Sequence, residues 1–348
     1  MRDDSVSIAK AIGIMLMVCG HTYFSMAGNY LINMFNMPLF FFLSGYCLKR
    51  KYLENLKSYI VRRISGIYVP YIKWSLIFLL FHNIFFVMNI YNDSFAFHNH
   101  VSYMYGVKDF VSHAVAIVTK MSKHEQLLGG FWFLKSLFCG SIIAVTILKL
   151  VKNIYTSITI TTIITIILSY YALKVPYFSV GSREFFAAIF FLQGVLFKDR
   201  INNKSVSAFS IIGIVAAVVG YKFWQATLLN FSYWQVIPYT LSALCGIIFI
   251  FWLSQVISLK SWPIKRILKF IGDNTMTILV WHLLCFKIVS IVIILVYNLS
   301  WSQLAEFPVM VEYSKNGWFI IYFIVGCIVP LCGLQIFYRV EKWVAAKK

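Results

Sequence analysis

The stretch AKAIGIMLMVCGHTYF, residues 9–24, is typical of a membrane-spanning helix, yet it carries two ionisable side chains. Lys10 stands at its start and His21 lies well inside it. A charged group in such a helix costs a few kcal/mol or more, so its presence points to a function. Similar apolar stretches recur along all 348 residues, of which 60% are hydrophobic and 12% charged. A soluble domain of this length could not bury so much apolar surface, and we therefore predict an all-α, polytopic membrane protein.

The apolar runs predict a bundle of about ten transmembrane helices. No polar stretch is long enough for a separate soluble domain, so residues 1–348 are expected to form a single membrane domain. The first residues, MRDD, are more acidic than basic, unlike the start of a signal peptide, so the first span is expected to be retained. The predicted spans lie near residues 8–27, 31–48, 67–90, 131–150, 154–173, 185–197, 206–223, 236–257, 275–297 and 317–338.

The formal net charge is +19, from 31 basic and 12 acidic residues. Most of the basic residues fall in alternate segments between the spans, as is typical of segments that face the cytoplasm. This bias predicts that both termini are cytoplasmic, and it explains the charge by the lipid bilayer rather than by a nucleic-acid partner. Residues 52–66 are basic and amphipathic, which predicts a helix lying on the inner leaflet. Residues 91–128 and 298–316 are predicted to be outer loops.

The sequence lacks the motifs of several other kinds of chemistry. None of the seven cysteines has the spacing of a metal site or a disulfide framework, so no metal is expected. The chain contains no HExxH, P-loop or GxSxG pattern. Its acidic residues sit mostly in predicted loops or at the ends of spans, which argues against a carboxylate-driven proton pump.

Lys10 and His21 are predicted to share one face of the first helix. Eleven residues make roughly three whole turns, and the two side chains are then about 16 Å apart along the helix axis. That geometry suits a ligand with an anionic head, bound near Lys10, and a long thin arm that reaches His21. It equally suits a boundary lysine that snorkels and a histidine that bonds to a neighbouring helix.

The next span adds the motif MPLFFFLSGY at residues 37–46. A basic residue, ten intervening residues, a histidine and this phenylalanine-rich motif together resemble the acyltransferase 3 family of integral membrane acyltransferases. The similarity is closest to its fucose 4-O-acetylase-like members. Four later segments agree with the family in order: VRRISGIYVPY (61–71), GGFWFLKSLF (129–138), FFLQGVLFK (190–198) and IGDNTMTILVWHLLCFK (271–287).

The resemblance implies an inner-membrane enzyme that uses cytoplasmic acetyl-CoA to O-acetylate a carbohydrate, such as a cell-surface polysaccharide or a lipid-linked sugar. It implies that His21 is essential, either as a general base for the sugar hydroxyl or as a residue that is itself acylated first. The expected contacts to the phosphates of coenzyme A are Lys10, Lys49, Arg50, Arg62 and Arg63.

The tetrahedral intermediate needs hydrogen-bond donors for its oxyanion. The candidates are Ser44, Asn36, Asn33 and Trp132, although small residues such as Ser44 and Gly45 also serve close helix packing. His282 is a second base, a substrate ligand or a structural histidine. Lys135 adjoins the WFL motif and either holds substrate or phosphate or snorkels.

The chain departs from the family at two positions. Many members have arginine where this chain has Lys10, and an aspartate where it has Ser7. A glycan-precursor transporter or flippase would fit the spans and the aromatic outer loops equally well, but not the shared face of Lys10 and His21. The same fold with another donor, such as succinyl-CoA, is a further alternative.

Overall fold

The computed structural model describes residues 4–95, 101–176, 178–200, 226–259 and 263–346. Within these ranges the chain is almost entirely helical, as predicted. The first four helices are α1 (Asp4–His21), α2 (Met26–Tyr46), α3 (Lys51–Glu54) and α4 (Leu56–Arg63). A π-helical turn, Ile64–Tyr68, then continues α4 into α5 (Val69–Leu80) and α6 (His82–Val87).

The middle of the chain adds a second group of helices and one small sheet. The elements are α7 (Val107–Lys120), a 3₁₀ segment (Gln126–Phe131), α8 (Trp132–Val151), α9 (Ile154–Tyr170), the antiparallel strands β1 (Lys174–Val175) and β2 (Val180–Gly181), and α10 (Ser182–Arg200). Lys174 pairs with Gly181 across the two strands. The predicted span 206–223 lies outside the described residues.

The described part of the last third contains three long helices and two shorter ones. They are α11 (Val236–Leu259), α12 (Pro263–Asp273), α13 (Thr275–Tyr297), α14 (Val311–Tyr313) and α15 (Phe319–Ala346). Shorter 3₁₀ segments cover Tyr233–Gln235 and Trp301–Ala305, and a π-helical turn covers Ser314–Trp318.

Five helical segments of the described residues are long and apolar enough to cross a membrane. They are Asp4–His21, Gln126–Val151, Tyr233–Leu259, Thr275–Tyr297 and Val311–Val344. The coarser prediction of an all-α membrane protein is confirmed, while the number of ten spans and the orientation of the termini stay predictions.

Helix α12 lies across the N-terminal half of α1. Ser7 Oγ donates a 2.8 Å hydrogen bond to Asp273 Oδ1, and Lys269 Nζ lies 3.3 Å from Asp4 Oδ1. The backbones meet at Gly272, where an added Cβ would lie 1.7 Å from the carbonyl oxygen of Ser7. Ser7 therefore joins α1 to an aspartate on another helix.

Helices α2 and α10 approach each other closely through two glycines. A Cβ on Gly45 would lie 1.8 Å from the carbonyl oxygen of Phe191, and one on Gly194 would lie 2.0 Å from that of Phe42. Such contacts leave no room for a side chain, as is common at membrane helix interfaces. Gly45 of the SGY motif thus serves helix packing.

Two of the three segments predicted as non-spanning, 52–66 and 91–128, are helical in part. The basic segment 52–66 contains α3 and α4, but its last three residues belong to the π-helical turn. The predicted loop 91–128 contains α7, which packs against α5, and Tyr68 near the start of α5 donates a hydrogen bond to Val118 O of α7.

The buried Lys287 of α13 fastens the loop that follows this helix. Its Nζ donates hydrogen bonds of 2.8 Å to Leu304 O and 2.6 Å to Glu306 O. The side chain of Lys287 is 2% exposed, and burial is compensated by these two carbonyl acceptors. Burial raises the pKa of Glu306 in the same loop, and the charge of Lys287 opposes that rise.

The predicted orientation gives a direct labelling experiment. In a cysteine-free variant, Ser302→Cys should react with a membrane-impermeant thiol reagent in intact cells, because this loop is predicted to face outward. Ser58→Cys, on the exposed side of α4, should react only after the cells are permeabilised. The reverse pattern would contradict the positive-inside assignment of both termini.

Candidate active site

A cavity of about 380 Å³ opens between α1, α2, α4, α8 and α13. Its cationic side chains are Lys10 of α1 and Arg62 and Arg63 at the end of α4. Elsewhere the lining is mainly apolar and includes Ile14 and Leu279. The cavity therefore combines a positively charged region with a space suited to an uncharged chain.

Arg63 is held in place by two hydrogen bonds. Its Nη2 donates to Ser44 Oγ at 2.5 Å and its Nε donates to Tyr59 Oη at 2.7 Å. The guanidinium carbon also lies 4.9 Å from the centroid of the Tyr59 ring. Burial raises the pKa of Tyr59 and the charge of Arg63 opposes that rise, so the phenol stays neutral and accepts the bond. The guanidinium is thus pre-oriented at the wall of the cavity.

His21 and His282 lie side by side, beyond the residues of α1 and α13 that line the cavity. Their ring centroids are 5.3 Å apart and the rings are tilted by 38°. His21 is two turns beyond Ile14 on the same face of α1, and His282 is about one turn beyond Leu279 on α13. The structure therefore brings together two histidines that are 261 residues apart in the chain.

The hydrogen bonds of His282 fix its tautomer. Its Nδ1 lies 2.9 Å from Ile278 O and 3.1 Å from Leu279 O. Carbonyl oxygens only accept, so Nδ1 carries the proton and Nε2 has a lone pair. The side chain is 0% exposed, and its Nε2 has no hydrogen-bond partner among the described residues. The Nε2 of His282 is therefore a buried hydrogen-bond acceptor beside His21 that no described residue satisfies.

Asn36 supplies a buried donor near the two histidines. Helices α1 and α2 run antiparallel, because Gly20 faces Ile32 and Asn33 whereas Gly13 faces Leu39 and Phe40. This register places Asn36 about one turn of α1 before His21. Asn36 is 1% exposed, its Oδ1 accepts from Met37 N at 2.6 Å, and its Nδ2 has no partner among the described residues.

The family comparison decides the reaction class. The sequence profile of the acyltransferase 3 family, described as an acyltransferase domain, matches residues 3–339. The chain belongs to this family. No curated protein and no solved structure matches the chain. The match over residues 3–339 confirms the predicted family, and the chain is a membrane acyltransferase. Its assignment to the fucose 4-O-acetylase-like members stays a prediction.

The predicted site residues lie in three regions of the acyltransferase: the cavity, the end of α1 near His21, and the surroundings of α3 and α8. Lys10, Arg62, Arg63 and Ser44 line the cavity. The register of α1 and α2 places Ser44 level with the N-terminal part of α1, far from His21, and its hydroxyl accepts from Arg63. Asn33 and Asn36 lie on the part of α2 that faces the end of α1 near His21, with Asn33 Oδ1 3.8 Å from an ideal Cβ on Gly20.

The remaining predicted residues do not line this cavity. Lys49 and Arg50 are exposed beside α3, and Arg50 lines a second cavity. Trp132 lies under the guanidinium of Arg183, with 5.5 Å from the guanidinium carbon to the ring centroid. Lys135 is one turn along α8 from Trp132. The structure thus places both α8 residues beside α10, and their contact with substrate stays a prediction.

Two features of the acyltransferase were missed in the sequence. Tyr59 lines the cavity and binds Arg63, and its spacing of four residues from Arg63 on a helix was the available signal. His82 belongs to none of the sequence motifs, but its Nδ1 lies 3.0 Å from Glu125 Oε2 and both side chains are 0% exposed. Its Nε2 lies 3.0 Å from Tyr103 O. His82 therefore joins α6 to the segments on both sides of α7, and only the tertiary structure brings these residues together.

Proposed function

We propose that this acyltransferase transfers an acetyl group from cytoplasmic acetyl-CoA to a hydroxyl group of a carbohydrate. The observation that carries the proposal is the cavity itself. It combines Lys10, Arg62 and Arg63 with apolar walls, and two of the helices that line it, α1 and α13, lead to His21 and His282. Coenzyme A has a phosphate-rich head and a slender pantetheine arm, which match these two regions.

In the proposed reaction, His21 accepts the proton of the sugar hydroxyl as the oxygen attacks the thioester carbonyl carbon. A tetrahedral intermediate forms, and Asn36 Nδ2 donates a hydrogen bond to its oxyanion. The intermediate collapses as the carbon–sulfur bond breaks. The coenzyme A thiolate leaves and takes up the proton from His21, so that the products are the acetyl ester and free coenzyme A.

His282 acts as a positioning residue in this scheme. Because its Nδ1 bonds to the backbone, its Nε2 accepts the N–H of one nitrogen of His21 in the reacting complex, and the other nitrogen of His21 is left as the base. Such hydrogen bonds often tighten only when substrate is bound. The orphaned Nε2 of His282 supports this role.

The test of the function is acetyl transfer by the purified protein. Labelled acetyl-CoA would be incubated with a panel of glycans and lipid-linked sugars, with succinyl-CoA as the comparison donor. Formation of an acetyl ester on a sugar hydroxyl is the expected result. If the protein transfers an acyl group only from succinyl-CoA, the donor is succinyl-CoA rather than acetyl-CoA. If it neither transfers an acyl group with any donor and acceptor nor hydrolyses acetyl-CoA, the proposal is overturned.

Lys10→Ala is expected to weaken acetyl-CoA binding and to leave much of the turnover at saturating donor. Lys10 is about 16 Å from His21 along α1, too far to contact the reacting carbonyl. Loss of one charge-assisted contact costs about 1.5–3 kcal/mol, or roughly tenfold to a hundredfold in affinity. Calorimetry of acetyl-CoA binding checks this value.

Two further variants control this experiment. Lys10→Arg should retain binding, because a guanidinium also binds phosphate. Lys57→Ala removes a lysine from the exposed side of α4 that does not line the cavity, and it should bind as the parent does. If Lys10→Ala binds acetyl-CoA as tightly as the parent, the donor does not lie along this face of α1.

A further inference from the structure

A second cavity, of about 680 Å³, lies between the segment that leads into α3 and the adjoining ends of α8, α9 and α10. Its cationic lining residues are Arg50, Lys152 and Lys198, and Glu54 is its one carboxylate among the described residues. Three positive charges against one negative charge leave an excess of two. The cavity therefore suits a ligand group that carries about two negative charges.

The backbone around this cavity is tied together by lysines. Lys198 Nζ donates to Leu48 O at 2.8 Å, and Lys149 Nζ donates to Glu54 O at 3.2 Å. These bonds join α10 and α8 to the two ends of the segment that contains α3. Lys152 follows α8 in the left-handed conformation, with φ of 60°, and its side chain is exposed. The cavity is thus framed by three helices rather than by one loop.

The two cavities are neighbours. Leu48 lines both of them. On α3, Tyr52 lines the first cavity, whereas the next residues, Leu53 and Glu54, line the second. The two cavities therefore adjoin at Leu48 and along α3.

We propose that the second cavity binds the 3′-phosphoadenosine end of the acyl-CoA donor. This inference rests on the proposed function. Coenzyme A carries a pyrophosphate in its middle and a phosphate monoester on its ribose, at the end remote from the thiol. Lys10, Arg62 and Arg63 in the first cavity suit the pyrophosphate. The monoester carries a charge of about −1.5 to −2 at pH 7, which matches the excess in the second cavity.

The walls of the second cavity suit the base of the nucleotide. Leu53, Leu148 and Ile154 are apolar lining residues that can pack against a purine ring. An anionic phospholipid offers the same combination of phosphate and apolar surface. Coenzyme A and a phospholipid can be distinguished by removing the 3′-phosphate from coenzyme A. This change weakens binding only if the second cavity holds the nucleotide end of coenzyme A.

The experiment compares acetyl-CoA with its 3′-dephospho analogue on the full-length protein in detergent. The parent should bind the dephospho analogue roughly tenfold to a hundredfold more weakly, the scale of a lost charge-assisted contact. Lys152→Gln and Arg50→Gln should each weaken acetyl-CoA binding by about tenfold and leave binding of the analogue unchanged. The matched variant Lys57→Gln should bind both compounds as the parent does.

Several results would overturn this assignment. Equal affinity of the parent for both compounds would show that no site reads the 3′-phosphate. Equal weakening of both compounds by Lys152→Gln would indicate a structural role for the lysine. If the two variants bind acetyl-CoA as the parent does but lose a bound anionic lipid in native mass spectrometry, the occupant of the second cavity is a phospholipid. Failure of the parent to bind either compound would instead count against the proposed function.

Discussion

His21→Gln is expected to give a folded, membrane-inserted protein whose rate of acetyl transfer is lower by about 10²-fold or more, the scale of a general base. Glutamine keeps the polarity and approximate size of histidine but cannot take up a proton. Acetyl-CoA affinity should change little, because His21 lies beyond the cationic part of the cavity. The measurements are kcat with a glycan acceptor and binding of acetyl-CoA by calorimetry.

Variants of two other histidines serve as comparisons in this experiment. His282→Gln should lower kcat less than His21→Gln does, leave the KM for acetyl-CoA unchanged and shift the pH profile of kcat, because His282 orients the base in the proposed reaction. His124→Gln changes a histidine that lies against Tyr71 and does not line the cavity, so transfer should stay near the parent rate. Near-normal turnover by His21→Gln would mean that His21 is structural.

Gly45→Ala is expected to destabilise the folded protein by about 3 kcal/mol or more, at the upper end of overpacking substitutions. The added Cβ would lie 1.8 Å from the carbonyl oxygen of Phe191. No side-chain rotation relieves an overlap with backbone, so α2 and α10 would have to separate. The loss would appear as a lower Tm in detergent and a lower yield of folded protein.

Gly333→Ala provides the matched control in another helix. Gly333 is an exposed residue of α15, and an added Cβ there meets nothing within 4 Å. Alanine in a helix is favoured over glycine by roughly 0.5–1 kcal/mol, so this variant should be as stable as the parent or slightly more stable. A Gly45→Ala protein with the Tm of the parent would contradict the close contact between α2 and α10.

Local features of the site could be predicted from the sequence. Helical periodicity alone indicates that Lys10 and His21 share a face, since the spacing of residues along a helix is independent of its surroundings. The same holds for the basic segment before α5, which proved to be α4 with Arg62 and Arg63 in its last turn.

Contacts between distant segments could not be predicted in this way. The pairing of His21 with His282 and of Arg63 with Ser44 depends on how helices pack, and packing depends on the shapes of many side chains at once. The SGY motif illustrates the difference. Its sequence fits both a functional site and close helix packing, and the structure separates its residues: Ser44 lines the cavity and Gly45 contacts α10.

The π-helical turn at Ile64–Tyr68 has a consequence for how one length of chain serves two environments. A turn of this kind contains about one residue more than an α-helical turn, and each residue advances a helix by about 100°. The residues after the turn are therefore rotated by roughly that angle relative to an uninterrupted α-helix. This phase shift lets α4 direct Arg62 and Arg63 toward the first cavity while α5 turns Tyr71 and Phe78 into the helical core. Deletion of a single residue from this turn would remove the rotation, so that α4 and α5 could not both keep their present orientations.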